Sequence, residues 1–383
     1  MGVILILLIF LLSAGAALAA EPAQSANESA GAARPTLPRV LSEAQWRRME
    51  DSVDRALAWM ATQQAKDGSF PTYPSGQPAV TSLCVLAFLS RGHQPGAGPY
   101  GERLNRAIDF AVSCQMADGL FSYEAPQANY VQREASHTAV YNHGISGLML
   151  GEVYGQVSGR RAEQVKLAIQ KALPFTLQLQ KRRKVPADKG GWRYLRYNAD
   201  TGADSDVSVT AWQIMFLRSA ENAGFDVPSE PVEEAMAFVR RCWDPATGQF
   251  YYALPGPTHG AGPGMTGAGI VTLSMGGQHD TPMARAAGDW LVAHPFRRPG
   301  ETTGNYDKFI YSTFYCSQAA AQLGGRYWEG IYPPLVNVLL SYQNTNGSWL
   351  ADAKMAQFGD ICTTAFAVLS LTPAYQMLPI YQR

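Results

Sequence analysis

Two carboxylic acids stand two positions apart at Asp204-Ser205-Asp206, directly before an apolar segment that begins at Val207. A neighbouring like charge and removal from water each raise a carboxyl pKa, so a buried pair of this kind can hold a proton until a reaction uses it. Aspartate is also a preferred helix N-cap, because its oxygens accept hydrogen bonds from free backbone N–H groups. Acid chemistry and helix capping both remain open for Asp204 and Asp206.

Two histidines and a tyrosine, His137, Tyr141 and His143, share another apolar segment. His137 lies near the start of that segment, where we expect it to face the loop that carries Asp206. A histidine that hydrogen-bonds to a reactive carboxyl group tunes its acidity. The alternative is that both histidines are structural and are satisfied by backbone groups.

Large aromatic side chains recur on two further apolar segments, and they are Trp212, Phe216, Tyr311, Phe314 and Tyr315. Their π faces can stabilise a cation, although packing of a hydrophobic core accounts for them equally well. A further polar residue, Asp360, opens the last apolar segment beside Cys362. The residues predicted to contact a ligand are Tyr141, Trp212, Tyr311, Phe314 and Asp360.

A repeated turn motif indicates the helices that must position these residues. Three segments share the spelling Q-x-x-[DN]-G-x-[FW], and they begin at Gln64, Gln115 and Gln343. Degenerate copies occur at residues 190–192, 248–250 and 304–306. The glycine supplies the positive φ that ends a helix, and the glutamine side chain can hydrogen-bond the backbone groups left open there.

An amphipathic segment precedes each turn, and a segment that is apolar nearly all round follows it. Clear examples of the apolar kind are residues 79–90, 136–154, 208–220 and 361–371. A helix that is apolar on every side must be enclosed by protein, and the alternation typical of strands is not sustained. The pattern therefore predicts an all-α fold, an α/α toroid of six helical hairpins and twelve helices, over residues 41–383.

The repeated turns resemble the QW repeats of the terpenoid cyclase and protein prenyltransferase superfamily, whose domains are α/α toroids. The resemblance runs from about Trp46 to Pro379. Within it, the segments at 190–194, 204–210, 327–333 and 378–383 look like an exported bacterial branch with prenyltransferase and squalene oxidase repeats. The resemblance implies the fold, whereas function depends on the residues of the site.

By this resemblance, Asp204 and Asp206 match the D-x-D-D run of protonating cyclases, which places an acid at the mouth of a dry cavity. The match makes Asp206 the acid and Asp204 its partner, and Val207 stands where the fourth acidic residue would be. Asp360-Ile361-Cys362 is similar to the zinc-binding D-x-C pair of prenyltransferase β subunits. Zinc needs a third protein ligand, and the neighbouring apolar segments contain no histidine. We therefore predict neither a metal nor another cofactor.

The N-terminal segment has the features of an export signal. Val3–Ala20 is an apolar run that ends in the small-x-small pattern Ala17-Leu18-Ala19. Residues 1–20 are therefore interpreted as a secretory signal peptide, with an uncleaved anchor as the alternative. Residues 21–40, rich in Ala, Ser, Pro and Glu, are interpreted as a flexible linker. We expect a periplasmic or extracellular protein without an integral membrane span after cleavage.

Charge and cysteine content limit the classes of binding partner that we expect. Lys+Arg and Asp+Glu are both 31, so the basic surplus of a general nucleic-acid binder is absent. The five cysteines include no CxxC pair, which favours buried thiols over a dense disulfide framework. An apolar small molecule is the expected ligand, and a protein or cell-envelope partner remains an alternative.

Three functions remain open. The first is a terpene cyclase-like isomerase that takes an isoprenoid-type ligand into its central cavity, with Asp206 as acid. The second is a non-catalytic exported scaffold or binding module, for which the cavity would be filled by the protein's own side chains. The third is a glycan-active toroid, which needs two carboxylates about 5 to 9.5 Å apart, such as Asp206 with Asp307 or Asp360.

Overall fold

The computed structural model describes residues 37–126, 133–195, 204–256, 259–299, 308–351 and 353–382. The predicted signal peptide, most of the predicted linker, Asp307 and the turn at 304–306 lie outside the described residues. Within the described ranges, no helix combines the length and the apolar character needed to cross a membrane.

The described residues form twelve α-helices and several short 3-10 turns, and their only β-type pairing is in isolated bridges. The helices are α1 (Glu43–Gln63), α2 (Ala79–Ser90), α3 (Gly101–Ser113), α4 (Arg133–Tyr154), α5 (Gly159–Gln180), α6 (Val207–Asn222), α7 (Ser229–Arg241), α8 (Pro263–Met275), α9 (Pro282–Ala293), α10 (Phe309–Leu323), α11 (Gly325–Ser341) and α12 (Gly359–Leu371).

Even-numbered helices make an inner ring. Each of α2, α4, α6, α8 and α10 packs on the next even-numbered helix, and α12 packs back on α2, which closes the ring. The odd-numbered helices lie outside it, each against one or two inner helices. The predicted all-α toroid of six hairpins is confirmed.

Sequence pattern decides which helix is inner. Every residue of α2 is buried, as a helix enclosed on all sides requires. The outer helix α3 instead buries one face, with Leu104, Ala107, Ile108 and Ala111 at helical spacing, and turns its charged residues to solvent. The half-wet outer helices thus shield the inner ring from water.

Turn glutamines tie neighbouring hairpins together. The Gln64 Nε2 donates to the carbonyl oxygen of Gly68 in its own turn (3.0 Å) and to that of Arg103 on the next outer helix (2.8 Å). The same pair of hydrogen bonds recurs in two other turns. Gln115 Nε2 donates to the carbonyl oxygens of Gly119 and Ala168, and Gln343 Nε2 donates to those of Gly347 and Ser52. Each glutamine therefore satisfies two carbonyl groups at the junction of two outer helices.

The third hairpin corrects the sequence alignment. Its turn glycine is Gly190, with φ 94°, rather than the Gly191 that the degenerate copy suggested. A Cβ on Gly190 would lie 2.1 Å from the carbonyl oxygen of Glu234, so no other residue fits without a backbone shift. Gln180, on the far side of an inserted loop, donates to the carbonyls of Gly190 (2.7 Å) and Pro231 (2.8 Å).

The two ends of the ring differ. Because outer and inner helices alternate along the chain, the six inner helices run in the same direction and their N-termini share one end. At the other end, Leu378, Ile380 and Tyr381 of the C-terminal segment are buried. The N–H of Ile380 donates to Oε2 of Glu152 near the C-terminus of α4 (3.3 Å). Among the described residues, this segment covers the end opposite to the N-termini of the inner helices.

Candidate functional site

A cavity of about 590 Å³ opens among the N-terminal ends of the inner helices. Every inner helix except α10 supplies an apolar wall residue, and these include Val80, Leu83, Ile145, Trp212, Met265 and Phe366. Lys308, Lys354 and Phe358 line it as well. This volume falls in the range of small-molecule sites, which are mostly apolar with a few placed polar groups.

Hydroxyl groups form a connected cluster on one wall. The Tyr141 Oη hydrogen-bonds with Ser208 Oγ (2.9 Å), which hydrogen-bonds with Tyr311 Oη (2.6 Å). The Tyr194 Oη and Tyr252 Oη are 2.5 Å apart and form a second pair. A hydrogen bond between Tyr141 and Tyr194 joins the two groups. All five residues line the cavity, and together they are called the hydroxyl cluster below.

These phenols stay protonated. Burial raises the pKa of Tyr141, Tyr194, Tyr252 and Tyr311 above that of free tyrosine, and the negative charge of Asp206 raises all four further. Each hydroxyl is thus a neutral group that can donate one hydrogen bond and accept others. The hydroxyl cluster therefore presents donors and acceptors, and no fixed charge, to a ligand.

Asp206 has no exposed surface and is the N-cap of α6. Its Oδ1 accepts from the N–H of Val209 (2.7 Å), and its Oδ2 accepts from Nη1 of Arg193 (3.3 Å). Burial raises the pKa of Asp206 to about 6, against the opposing effects of Arg193 and of hydrogen bonds from Val209 and Tyr252. The capping role is thus present, and the carboxyl group also retains a proton more readily than a free aspartate does.

The position of Asp206 differs from the one expected at a cavity mouth. It is absent from the cavity wall, whereas Tyr252, which hydrogen-bonds to it, is part of that wall. Backbone bridges pair Asp206 with Trp192 and with Ala253, and these bring the loops of two successive hairpins together. The carboxyl group is consequently one hydroxyl group removed from the cavity.

Asp204 is not where the resemblance placed it. Its backbone N–H donates to Oδ2 of Asp188 (2.6 Å), and its charge acts on Asp188 and on Lys184. It does not line the cavity, and it is not among the main causes of the shifted pKa of Asp206. Two residues before the cap, Asp204 thus interacts with Asp188 and Lys184, outside the cavity wall.

The two histidines have different environments. His137 lies on the cavity wall, and its ring packs edge-on against Tyr194 with centroids 4.7 Å apart. His143 is fully buried, accepts from the N–H of Phe121 (3.3 Å) and hydrogen-bonds with Thr176 (2.7 Å). Burial lowers the pKa of His143 to about 3. His143 is therefore a neutral structural residue, whereas His137 lies on the cavity wall beside Tyr194 of the hydroxyl cluster.

Some of the residues predicted to contact a ligand lie on the cavity wall, and others lie away from it. Tyr141, Trp212 and Tyr311 lie on the cavity wall, and Trp212 Nε1 donates to Tyr311 Oη (2.9 Å). Phe314 is behind the wall, stacked on Trp212 with centroids 5.5 Å apart. Asp360 is also away from it, and its Oδ1 accepts from the N–H of Ala351 (2.8 Å). Phe314 thus supports the site from behind, through Trp212 and Phe366, and Asp360 holds a loop in place.

Cys362, next to Asp360, does line the cavity. Burial raises the pKa of its thiol to about 12, so it is present as a thiol rather than as a metal-binding thiolate. Within the part of the chain that the structure describes, no three His, Cys, Asp or Glu side chains are arranged to hold a metal ion. All five cysteines lie within the described residues and are buried thiols.

Sequence reasoning missed Arg193, Tyr194, Ser208 and Tyr252. A signal was present, since Tyr194 and Tyr252 each stand four residues after a turn glycine, Gly190 and Gly248. Comparable positions in successive repeats face the same end of a toroid. Two tyrosines at this shared offset, flanking the loop of Asp206, could have been predicted to meet beside it.

Neither a protein-family model nor a curated protein sequence matches the chain. Solved structures do match its fold. A variant of the type II terpene cyclase MstE from Scytonema, in complex with the substrate geranylgeranyl dihydroxybenzoate, has a TM-score of 0.56 at 16% identity and covers 88% of this chain and 99% of its own. Another MstE variant, with the product merosterolic acid A, has a TM-score of 0.54 at 18% identity and covers 88% and 100%.

A glycosidase variant also matches, with a TM-score of 0.59 at 11% identity and coverage of 88% of this chain and 100% of its own. Identities this low establish a shared fold, and folds of this kind host unrelated chemistries. The chain therefore has a terpenoid cyclase-like fold, an all-α toroid that it also shares with glycosidases.

Proposed function

We propose that this protein binds an apolar, isoprenoid-type ligand in the central cavity and isomerises it, with Asp206 as the proton source. One observation carries the proposal: a largely apolar cavity of about 590 Å³ whose hydroxyl cluster leads to a buried carboxyl group. The match to terpene cyclase structures that contain a prenyl-type substrate or its product supports the ligand class.

The chemistry of the wall fits this ligand. Trp212, Tyr311 and Phe366 present aromatic surface to the cavity, and aromatic faces stabilise a developing positive charge. Apolar walls also exclude the water that would quench such a charge. Protonation of the ligand and its rearrangement would need no cofactor.

The alternative is a binding module of the same fold that does no chemistry. Asp206 caps α6, pairs with Arg193, and is followed by Val207 rather than another acid, and these features favour it. A scaffold with a filled ring is less well supported, because the cavity is open. A glycan-active toroid has support from the matched glycosidases only, since no Asp or Glu among the described residues lines the cavity.

Binding is tested by calorimetry with geranylgeraniol, a prenyl-chain alcohol. Val80 lies on the cavity wall, so Val80→Phe should fill the cavity and weaken binding at least about tenfold. Val292→Phe is the matched control, because Val292 is on the exposed side of α9. If the parent protein binds no prenyl chain, or if both variants bind as the parent does, the cavity is not the ligand site.

Turnover is tested by incubation with geranylgeraniol and with squalene, followed by gas chromatography of the products. Asp206→Asn keeps a good N-cap but has no acidic proton. We expect this variant to bind as the parent does and to lose conversion. Binding by the parent without conversion would favour the non-catalytic alternative.

Export is proposed as well, on the apolar run at Val3–Ala20 and the small-x-small pattern that ends it. It is tested by expressing the full chain in a bacterium and sequencing the N-terminus of the periplasmic or secreted product. A mature chain that begins near Glu21 is expected. A chain that keeps residues 1–20 in the membrane fraction would instead indicate an anchor.

A further inference from the structure

A proton held by Asp206 has no direct contact with the cavity. The residue is 0% exposed and does not line the wall. Its Oδ1 is engaged by the N–H of Val209, and its Oδ2 is engaged by Arg193. A ligand in the cavity can therefore gain or lose this proton only through another group.

Tyr252 lines the cavity and also contacts Asp206. This tyrosine hydrogen-bonds to the carboxyl group, and its Oη is 2.5 Å from Tyr194 Oη. Its position is fixed by the backbone, because the carbonyl of Tyr252 accepts from the N–H of Val207, the residue after Asp206 (2.8 Å). Tyr252 is thus held between the carboxyl group and the cavity.

From Tyr252 the hydrogen bonds continue along the wall. Tyr194 is bonded to Tyr141, Tyr141 to Ser208 (2.9 Å), and Ser208 to Tyr311 (2.6 Å). A hydroxyl group can accept a proton on one lone pair while it donates its own. A continuous row of such groups therefore conducts a proton without moving any heavy atom far.

Other routes out of Asp206 are poor. Arg193 remains protonated at all relevant pH values, and its guanidinium packs over the rings of Tyr194 and Tyr252 (4.9 and 5.5 Å). Its charge favours the carboxylate that is left after a proton departs. The N–H groups of the backbone do not exchange protons fast enough to serve as a path.

We propose that Asp206 exchanges its proton with the cavity through the hydroxyl group of Tyr252, with Tyr194 as the next carrier. The role as a relay in catalysis rests on the function proposed above. In the outward step the Asp206 O–H bond breaks and its proton bonds to Tyr252 Oη, while the former Tyr252 proton passes either directly to the ligand or to Tyr194 Oη. In the second case Tyr194 releases its own proton to the ligand, so that each tyrosine remains neutral. Asp206 becomes a carboxylate paired with Arg193, and the reverse step restores it.

The relay is tested on the protein without ligand, by time-resolved infrared spectroscopy after a pH jump. The carbonyl band of protonated Asp206 is identified by its loss in Asp206→Asn. In Tyr252→Phe we expect the rate of protonation to fall on the order of 100-fold, the usual value of a positioned proton-transfer group. Tyr251→Phe is the matched control, since Tyr251 is the adjacent tyrosine and donates to Asp244 instead (2.9 Å).

The rate separates a relay from a structural role. Loss of the Tyr252 hydrogen bond should raise the midpoint of the Asp206 titration in either case, because that bond stabilises the carboxylate. Only a relay predicts a slower approach to equilibrium. Should Tyr252→Phe fail to fold, Tyr194→Phe is measured instead, with slowing expected to be smaller because Tyr252 still lines the cavity.

Equal rates in the parent protein and the tyrosine variant would overturn the proposal. So would the absence of a titrating band between pH 4 and pH 8, since Asp206 would then hold no proton to pass on. A protein that binds no prenyl chain but shows the slowing would refute the proposed function and leave the proton path intact. The two failures are therefore distinguishable.

Discussion

Asp206 combines two roles that the sequence presented as alternatives. Its Oδ1 caps α6, while burial of the whole carboxyl group raises its pKa. Helix capping alone would be served equally well by Asp or Asn. It does not account for a tyrosine on the cavity wall that bonds to the same carboxyl group. The proposed proton path depends on that second contact.

The shifted pKa of Asp206 predicts a pH-dependent stability. The value rises from 3.8 when unfolded to about 6 when folded, so the folded chain binds the proton more tightly. The resulting stabilisation is complete below pH 3.8 and is lost as the pH rises through about 6. A shift of about two units corresponds to about 3 kcal/mol.

Urea unfolding of the parent protein and of Asp206→Asn between pH 4 and pH 7 measures this contribution. The free energy of unfolding of the variant should fall by about 3 kcal/mol less over this range than that of the parent. Identical pH profiles would show that Asp206 has the same pKa in the folded and unfolded chains. Asp206 would then be excluded as the proton source.

For single residues, the sequence indicated Asp206 but not the groups that surround it. Asp206, His137 and Tyr141 were found because they stand near the starts of apolar segments. Tyr194 and Tyr252 were not found, because each lies in a loop after a different turn, and they meet only when two successive hairpins pack. Asp204 was misplaced for a similar reason, since the contact with Asp188 crosses an inserted loop.

The helices and their turns were far more predictable. A segment that is apolar on every side has only one stable place, the inner ring, so the burial of α2 follows from its composition. The third turn was misaligned by one glycine because its glutamine, Gln180, stands ten residues before Gly190 rather than four. Spacing within a repeat fails where a loop is inserted, although the hydrogen bonds are conserved in space.

Gln180 should therefore be a strong determinant of stability. Gln180→Leu leaves the carbonyls of Gly190 and Pro231 without their donor, in a place that water does not reach. An unsatisfied buried carbonyl costs about 1–3 kcal/mol, so we expect a loss of about 2–4 kcal/mol in the free energy of unfolding. Urea unfolding measures it.

The control for this prediction is Gln170→Leu. Gln170 lies on the same helix, α5, and is exposed, so its replacement should change stability by less than about 0.5 kcal/mol. Equal effects of the two substitutions would mean that the turn hydrogen bonds contribute little, and that helix packing alone joins the outer ring.

For the whole molecule, the ring could be predicted from six hairpins, but the difference between its ends could not. One end is closed by Leu378, Ile380 and Tyr381, and the other holds the cavity. The C-terminal segment belongs to no repeat, so self-similarity says nothing about where it packs. Its position explains why the cavity described above opens at the end that carries the N-termini of the inner helices.

Glu152 connects this closure to pH. It is 4% exposed, with Oε1 accepting from Ser219 Oγ on α6 (2.6 Å) and Oε2 accepting from the N–H of Ile380 (3.3 Å). Burial raises its pKa from 4.5 to about 7, so the folded ring favours the protonated acid. The stabilisation that this gives is complete below pH 4.5 and is lost as the pH rises through about 7, an effect of about 3 kcal/mol.

Glu152→Gln removes the titration and keeps an oxygen acceptor for one of the two donors, Ser219 or Ile380. We expect the free energy of unfolding of the parent to fall between pH 5 and pH 8, and that of the variant to fall by about 2–3 kcal/mol less. Glu163→Gln, on the exposed surface of α5, is the control and should follow the parent. A Glu152→Gln profile as steep as the parent's would mean that Glu152 is ionised throughout. The hydrogen bonds from Ser219 and Ile380, which favour the carboxylate, would then outweigh the effect of burial at the closed end.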